Sequence, residues 1–432
     1  MKNVVETLKL DRMIYGGQAI GQLESGKKAM VWGGLPGETV EIQLTKKKSS
    51  YVEGIVIKVL EPSEQRILPR DPESYLSTSP WQIMDFASEQ HYKAALIEEA
   101  FELHDIVLPQ PISVYSDDVE YHYRNKVEFS WYGDTIDGVE TLDLAFFRRG
   151  SKGKIVVYDS ALLPESIMQT AVAIRDKLRE LSVDARKLKT LLIRCDSRGN
   201  TTWQLYVKDR PCEFADELIK TPLSAQGGEV IYSDPRSPAS VITERLTEVG
   251  DIVLTDTVLG VPFRYATEGF FQVNLAVYEQ ALKDMRQWIE PGKSVVDMYS
   301  GVGSIGLTIG GDDVTLVEVN EHAVREMRRN IKALGREGQA TAVLAASEKA
   351  LDYIDSEAII IVDPPRAGLH DDVIAKLLET APARIVYLSC NPATQARDVA
   401  KLATKYGIRH HQAYNFFPRT PHIENLVVLD LV

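Results

Sequence analysis

Apolar and polar residues alternate in short runs through the first 60 positions: VVETLKL, AIGQL, KAMVW, TVEIQLT and VEGIVIKVL, separated by YGGQ and GGLPGE. Alternation of period two puts one face of each run inward. Five such runs with glycine-rich turns predict a small β-barrel of the OB type, a fold that often binds oligonucleotides. Residues 61–74, EPSEQRILPRDPES, gather proline, serine and charge and predict a linker. Residues 88–104, SEQHYKAALIEEAFELH, carry apolar side chains at helical spacing behind Ser88 as N-cap.

Between 121 and 265 the strand-like pieces VEFSWYG, LDLAFFRRG, KTLLIRCD and TTWQLYVKD surround one clear helical pattern, AVAIRDKLRELSV, which predicts a mixed α+β domain. From 266 the rhythm changes. SVVDM, VTLVEV, AIIIVD and RIVYLS alternate with helical patterns around HAVREMRRNIKALG, HDDVIAKLLETA and TQARDVAKLATKYG, as in a Rossmann-like α/β domain with a parallel sheet. The chain therefore reads as multidomain: barrel 1–62, central α+β region 63–265 and α/β domain 266–432, with the helix at 88–104 a candidate to pack on the last of these.

A length of 432 residues at 44% hydrophobic content fits two or three domains with their own cores. The opening MKNVVETLKLDR is too charged for a signal peptide, and no run reaches the roughly 20 apolar residues of a membrane span, so a cytoplasmic protein without a membrane partner is expected. Three cysteines, Cys195, Cys212 and Cys390, stand far apart in no C-x-x-C spacing, which argues against a disulfide framework or a metal site. The net charge of −13 looks unfavourable for nucleic acid, but its distribution is uneven. Residues 1–60 carry +3 and the remainder −16. TKKKSSYVEGIVIK, with four of the early lysines, and FFRRGSKGK at 146–154 are either RNA-facing clusters or plain solvated surface.

Strand, glycine turn and helix follow one another in VVDMYSGVGSIGL, 295–307, where Gly301, Gly303 and Gly306 match G-x-G-x-x-G. That pattern alone admits a dinucleotide. Asp297 would repel a pyrophosphate and suits a ligand with an amine and a cationic centre, while Glu318, closing VTLVEV, is placed for ribose hydroxyls. The pair favours S-adenosylmethionine over a nicotinamide cofactor. Downstream, IIIVDPPRAGL at 359–369 ends a buried strand on Asp363 and two prolines, similar to the motif with which many methyltransferases hold a planar group. Arg366 could pair with a phosphate or with developing oxygen charge, or be an ordinary surface arginine.

RIVYLSCNPATQARD then places Cys390 beside the same pocket. Cysteine is often simply buried. Here Asn391 is a good N-cap and Pro392 a good first helical residue, so a thiol at a helix N-terminus is expected, with a lowered pKa. Amines and hydroxyls attack a sulfonium methyl unaided, whereas carbon 5 of a pyrimidine needs a thiolate added at carbon 6. A base must afterwards remove the carbon 5 proton. HIEN at 422–425 offers Glu424 and His422, and EGFFQVN at 268–274 sets Gln272 beside Phe270 and Phe271, rings against which a flipped base could rest.

Taken in order, GFFQVN, DMYSGVGSIGL, VDPPRAGL, LSCNPATQARD and HIEN resemble the RNA 5-methyluridine (uracil-C5) methyltransferase family, over about 165 residues of catalytic domain. The N-terminal barrel resembles a TRAM domain, and YRNKVEFSW, 123–131, the family's central RNA-facing segment. The resemblance implies methylation of a uridine in RNA, ribosomal RNA ranking above transfer RNA, with Cys390 as nucleophile and Glu424 rather than His422 as base. It implies that Gln272, Tyr299, Ser304, Glu318 and Asp363, with Asp297, Gly301 and Gly303, bind S-adenosylmethionine. Phe271, Arg366, Arg124 and Lys126 would face the RNA. Many relatives carry four cysteines after the barrel that hold an iron–sulfur cluster; residues 63–92 here contain none, so no cluster or metal is expected. No protein partner is implied. The competing readings are an RNA cytosine-C5 methyltransferase, which shares the covalent logic, and an RNA-binding or RNA-folding protein without activity.

Overall fold

A computed structural model of the chain describes residues 4–136, 139–237 and 240–432. The backbone divides into two compact units, one of Met1–Tyr92, Val119–Leu254 and Pro418–Pro421, the other of Lys93–Asp118, Thr255–Phe417 and His422–Val432. Among the described residues no helix is long and apolar enough to cross a membrane.

In the first unit the strands Val5–Met13, Ala19–Gln22, Lys28–Trp32, Tyr51–Glu61 and Thr39–Lys47 close, in that spatial order, into a five-stranded barrel. Leu8, Leu10, Ala29, Val31, Val40, Ile42 and Val52 fill its interior, the inward half of the alternation. Residues 61–74 are not a free linker. Buried Glu38 accepts from Arg66 Nε (2.5 Å), Leu35 N (2.8 Å) and Ser63 N (3.1 Å), so the segment is sewn to the barrel by a charge that composition alone left unpaired.

The segment lacking the cluster cysteines is held by ordinary side chains. Trp81, 1% exposed, donates its indole N–H to Gly17 O at 3.0 Å, and Gln82 donates to Asp71 (2.9 Å) and Ser79 (2.6 Å). Trp81→Ala is expected to cost about 3–5 kcal/mol, the usual range for emptying a buried aromatic site, measurable as a lower urea midpoint. The helix that follows runs Phe86–Glu102, starting two residues before the sequence pattern suggested. Its cap is Asp85, which accepts from Ser88 N (2.8 Å) and Ser88 Oγ (2.7 Å), so Ser88 sits inside the first turn.

A seven-stranded sheet completes this unit, in the order Lys154–Val156, Asp143–Phe147, Lys126–Tyr132, Leu188–Cys195, Thr201–Val207, Gly227–Tyr232, Glu244–Gly250. The helix Glu165–Glu180 lays Ile167, Ala171, Ile174 and Leu178 on one face.

The second unit is built on an eight-stranded sheet, ordered Ala340–Leu344, Val314–Glu318, Val295–Met298, Ile359–Val362, Arg384–Ser389, Glu424–Leu431, Tyr406–Tyr414, Val114–Tyr115. The first five run parallel and Glu424–Leu431 is antiparallel to its neighbours. Near-continuous apolar runs such as Ile359–Val362 are what a strand covered on both faces requires. Ile97, Ala100 and Phe101, from the far end of the helix Phe86–Glu102, join this core. Chain order reverses between Val295–Met298 and Ile359–Val362, and the crevice at the carboxyl ends of strands at such a reversal is where open α/β sheets bind ligands.

Candidate active site

The glycine loop leaves the strand Val295–Met298 through Tyr299, whose φ of +68° is left-handed. That backbone is strained for tyrosine, and the side chain is fixed by the Ser347 hydroxyl donating to Tyr299 Oη at 2.8 Å. Gly303 (φ +88°) and Gly306 have no room for a side chain: a Cβ would stand 2.9 Å from Leu307 Cδ1 and 2.4 Å from Leu316 Cδ2 respectively. Phe271, Gln272, Tyr299, Gly301, Ser304 and Asp363 line one pocket here, together with exposed Phe270. Ser304 Oγ shares a 2.8 Å hydrogen bond with Tyr278 Oη.

Asp297, Gly303 and Glu318 do not line that pocket. Glu318 accepts from Gly301 N (2.9 Å) and Asn320 N (2.8 Å), shaping the loop. Asp297 is fully buried; Oδ2 accepts from Gly306 N (2.8 Å) while Oδ1 has no hydrogen-bond partner. Burial, then the charges of Asp363 and Glu318, push its pKa up to about 8 against the Gly306 N–H. Asp297 thus shapes the loop behind the pocket, and Asp363, the acid among the pocket's lining residues, is the one that a ligand bringing a positive charge and an amine fits. Raised in this way, Asp297 favours the fold while neutral and loses that advantage as the pH climbs from about 4 through about 8. Asp297→Asn does not titrate and keeps an acceptor for Gly306. Calorimetry at pH 8 is expected to show a Tm about 2–4 °C above the parent, with the difference shrinking toward pH 5.

The second half of the site comes from strand register. Ser389 pairs with Asn425 at the end of the antiparallel ladder, so Cys390, the next residue of one strand, and Glu424, the first of the other, meet at the same sheet edge, close enough for the carboxylate to act on the thiol. Val362 pairs with Tyr387, which brings Asp363 to the same edge. Gln395 ties the strands Arg384–Ser389 and Glu424–Leu431 by donating to Tyr387 O (3.0 Å) and Asn425 O (2.9 Å). Asn391 caps the helix Pro392–Leu402 by accepting from Ala393 N and Thr394 N, and its own amide donates to Arg366 O at 2.7 Å. Asp398 accepts from Leu369 N (2.8 Å), so the loop bearing Arg366 is clamped to that helix.

Cys390 is half-buried and free. The expected lowering of its pKa by the helix end is overturned: burial, then the charges of Glu424 and Asp363, push the thiol up to about 12, opposed by Arg366. Desolvation and two nearby carboxylates outweigh the fractional charge of a helix terminus. Glu424 is 5% exposed, and its Oε2 has no hydrogen-bond partner. Burial and the charge of Asp363 hold its carboxyl well above the usual range, and burial raises Asp363 to about 7. His422 is exposed, its ring edge-on to Phe417.

Phe271 is 3% exposed and stacked on Tyr265 (4.2 Å between centroids), whereas Phe270 is 70% exposed and is the ring a planar ligand can reach. Arg124 and Lys126 belong to the other unit, where Arg124 Nε donates to Lys126 O at 3.1 Å. Tyr278 and Ser347 lie outside every motif the sequence offers, and although Gln395 and Asp398 fall within LSCNPATQARD, only the fold reveals what they hold. Among the described residues no group of three metal-binding side chains is placed to hold an ion.

Sheet order, glycine loop and pocket define the class: a methyltransferase of the Rossmann-like α/β type, preceded by a barrel. Residues 255–432 match the tRNA (uracil-5-)-methyltransferase model and residues 5–57 the TRAM domain. Relatives named RNA methyltransferases include one from Nitratidesulfovibrio vulgaris, 28% identical and covering 97% of this chain and 94% of its own length. Another, from Enterococcus faecalis, is 29% identical and covers 91% and 90%. The fold is similar to that of the Pyrococcus abyssi tRNA (uracil-54, C5)-methyltransferase in complex with S-adenosyl-L-homocysteine, with a TM-score of 0.77 at 20% identity over 98% of this chain and all of that one. Over residues 255–432 the chain is thus similar to the tRNA (uracil-5-)-methyltransferase family, and over nearly its whole length to relatives named RNA methyltransferases.

Proposed function

We propose that the enzyme methylates carbon 5 of a uridine in RNA through a covalent bond between Cys390 Sγ and carbon 6 of the base. What supports this reading is the register that ends in Ser389 and Asn425, which brings Cys390 and Glu424 to one sheet edge with Asp363. S-adenosylmethionine, when bound, supplies an electrophilic methyl group. Gln272, Tyr299, Ser304 and the Gly301 backbone hold it, with Glu318 and Asp297 shaping the loop behind.

Cys390 gives up its proton to solvent water and the thiolate adds to carbon 6, the electrons of the carbon 5–carbon 6 double bond moving onto the base to leave carbon 5 as an enolate nucleophile. Arg366 favours both steps, because its positive charge opposes the upward shift of the thiol and stabilises negative charge near the ring. Asp363 positions the uracil edge. Once carbon 5 carries the methyl group, Glu424 takes the remaining carbon 5 proton, the double bond re-forms and the carbon 6–sulfur bond breaks. Its raised pKa suits that task, since a buried carboxylate is a stronger base than a solvated one. Carbon 5 is inaccessible in a stack, so the uridine is flipped out, with exposed Phe270 as the stacking surface.

Ribosomal and transfer RNA from cells lacking the protein, incubated with enzyme and S-adenosylmethionine and digested to nucleosides, test this directly. Mass spectrometry is expected to show 5-methyluridine and to identify which RNA gains it. New 5-methylcytidine instead would assign the cytosine reaction, and no methylated nucleoside from an enzyme that binds RNA would leave only the binding protein.

A further inference from the structure

The seven-stranded sheet of the first unit carries a cleft of about 530 Å³ at the end of the strand Lys126–Tyr132, in the range of pockets that enclose a nucleotide-sized ligand. Four cations and three carboxylates line it, but they are not equivalent. Asp184 accepts from Arg186 N (2.8 Å) and Arg186 Nε (2.7 Å), and Glu140 lies 3.4 Å from the same guanidinium. Asp134 accepts from Tyr132 Oη (3.1 Å) and Thr135 N (2.8 Å). Arg186 and all three acids are thus engaged locally.

The three lysines, by contrast, are not paired with acids among the described residues. Lys154 Nζ donates to Trp131 O (2.6 Å) and Lys208 Nζ to Arg186 O (3.1 Å), both neutral acceptors. Lys152 is exposed, and none of the three has a carboxylate partner among the described residues. Burial, then repulsion from Lys208, lowers the Lys154 pKa. One further group lacks a partner among the described residues, and one aromatic ring is mostly exposed. The indole N–H of Trp131, 2% exposed and lining the cleft, has no acceptor, and the ring of Phe147, 62% exposed, lies 5.4 Å from Lys154 Nζ. In a chain of net charge −13, uncompensated cations beside an orphaned donor and an open aromatic face ask for a ligand with phosphate oxygens and a flat base.

We propose that this cleft is a second RNA-contact site, in which Lys152, Lys154 and Lys208 hold backbone phosphates of the substrate and Phe147 offers a face to a neighbouring base. It rests on the RNA reading above and adds a place where the strand is gripped. The same chemistry could come from a free nucleotide, which the test separates.

Binding of a short fluorescein-labelled, uridine-containing RNA hairpin is measured from about 50 to 200 mM salt for the full chain, Lys152→Gln/Lys208→Gln and Lys152→Arg/Lys208→Arg. The glutamine pair is expected to bind about tenfold more weakly at the lowest salt, with the log–log salt slope reduced by about 1.4, two single-strand phosphate contacts. The arginine pair should keep both. S-adenosylmethionine affinity, read by calorimetry, should be the same in all three. Should the glutamine pair lose that too, the exposed single change Lys152→Glu replaces it, with a loss of about threefold or more expected. Unchanged affinity and slope in a glutamine or glutamate variant overturns the cleft while the parent's salt-dependent binding upholds the RNA reading; a parent that binds no RNA overturns that reading and the cleft with it. Displacement of the RNA by about 5 mM UMP or inorganic phosphate from the parent, but not from the glutamine pair, overturns the backbone assignment in favour of a mononucleotide site.

Discussion

Replacing Cys390 with alanine is expected to lower turnover by roughly four orders of magnitude or more, because removing a nucleophile eliminates the reaction path rather than weakening one contact. S-adenosylmethionine affinity should stay within about twofold, since the thiol does not line the glycine-loop pocket. The pH profile of the parent enzyme carries the same information. With the thiol pushed up to about 12 in the free enzyme, the thiolate fraction grows tenfold per pH unit throughout the neutral range. The base also works only when ionised, and Glu424 too is raised. Both requirements act in one direction. kcat/KM should therefore climb from about pH 6 to pH 9 without an alkaline plateau at the ordinary thiol value of roughly 8.5. Arg366→Gln removes the cation that opposes the shift and should lower kcat/KM at pH 7.5 while moving the rise to still higher pH.

Glu424→Gln separates the two halves of the reaction. The amide preserves shape and cannot accept the carbon 5 proton, so turnover should fall by about 10²–10⁴-fold. The methylated adduct has no exit, and a denaturation-resistant enzyme–RNA band that depends on S-adenosylmethionine should build up even with unmodified RNA. Cys390→Ala should give no such band. Loss of the band in Glu424→Gln, with RNA binding retained, would show the glutamate acting earlier, in formation of the adduct.

The two variants look at residues that the chain separates by 34 positions and the sheet makes neighbours. A thiol in a methyl-transfer pocket called for a base, HIEN offered Glu424 and His422, and the family resemblance chose between them. Their electrostatics were not legible. A helix end was visible in CNPA, but the approach of Asp363 and Glu424 is a property of register between strands remote in sequence, and it reverses the direction of the thiol pKa.

Elsewhere, legibility followed how each strand earns its burial. Barrel strands alternate, and SVVDM, VTLVEV, AIIIVD and RIVYLS are mostly apolar, so these declared themselves, whereas Ala340–Leu344 did not and Tyr406–Tyr414 begins where the sequence pattern still read as helix. Nor did the strands Gly227–Tyr232 and Glu244–Gly250, because GGEVIY and ERLTEVG look like loops. They form because Gly228 lies under the Trp203 ring, where a Cβ would come within 1.9 Å, and because buried Glu229 is neutralised by Arg245 and accepts from Gln204 Nε2 at 2.6 Å. Residues 61–74 misled for the same reason in reverse: their charges looked solvated, yet Arg66 pairs with an acid inside the barrel wall.

RNA containing 5-fluorouridine cannot release a fluorine as a proton, so the parent enzyme with S-adenosylmethionine should stall on it as a stable adduct. Protease and nuclease digestion followed by mass spectrometry should find the methylated fluorouridine on the peptide containing Cys390. A modified peptide carrying any other residue, or full methylation by Cys390→Ala, would contradict the covalent route.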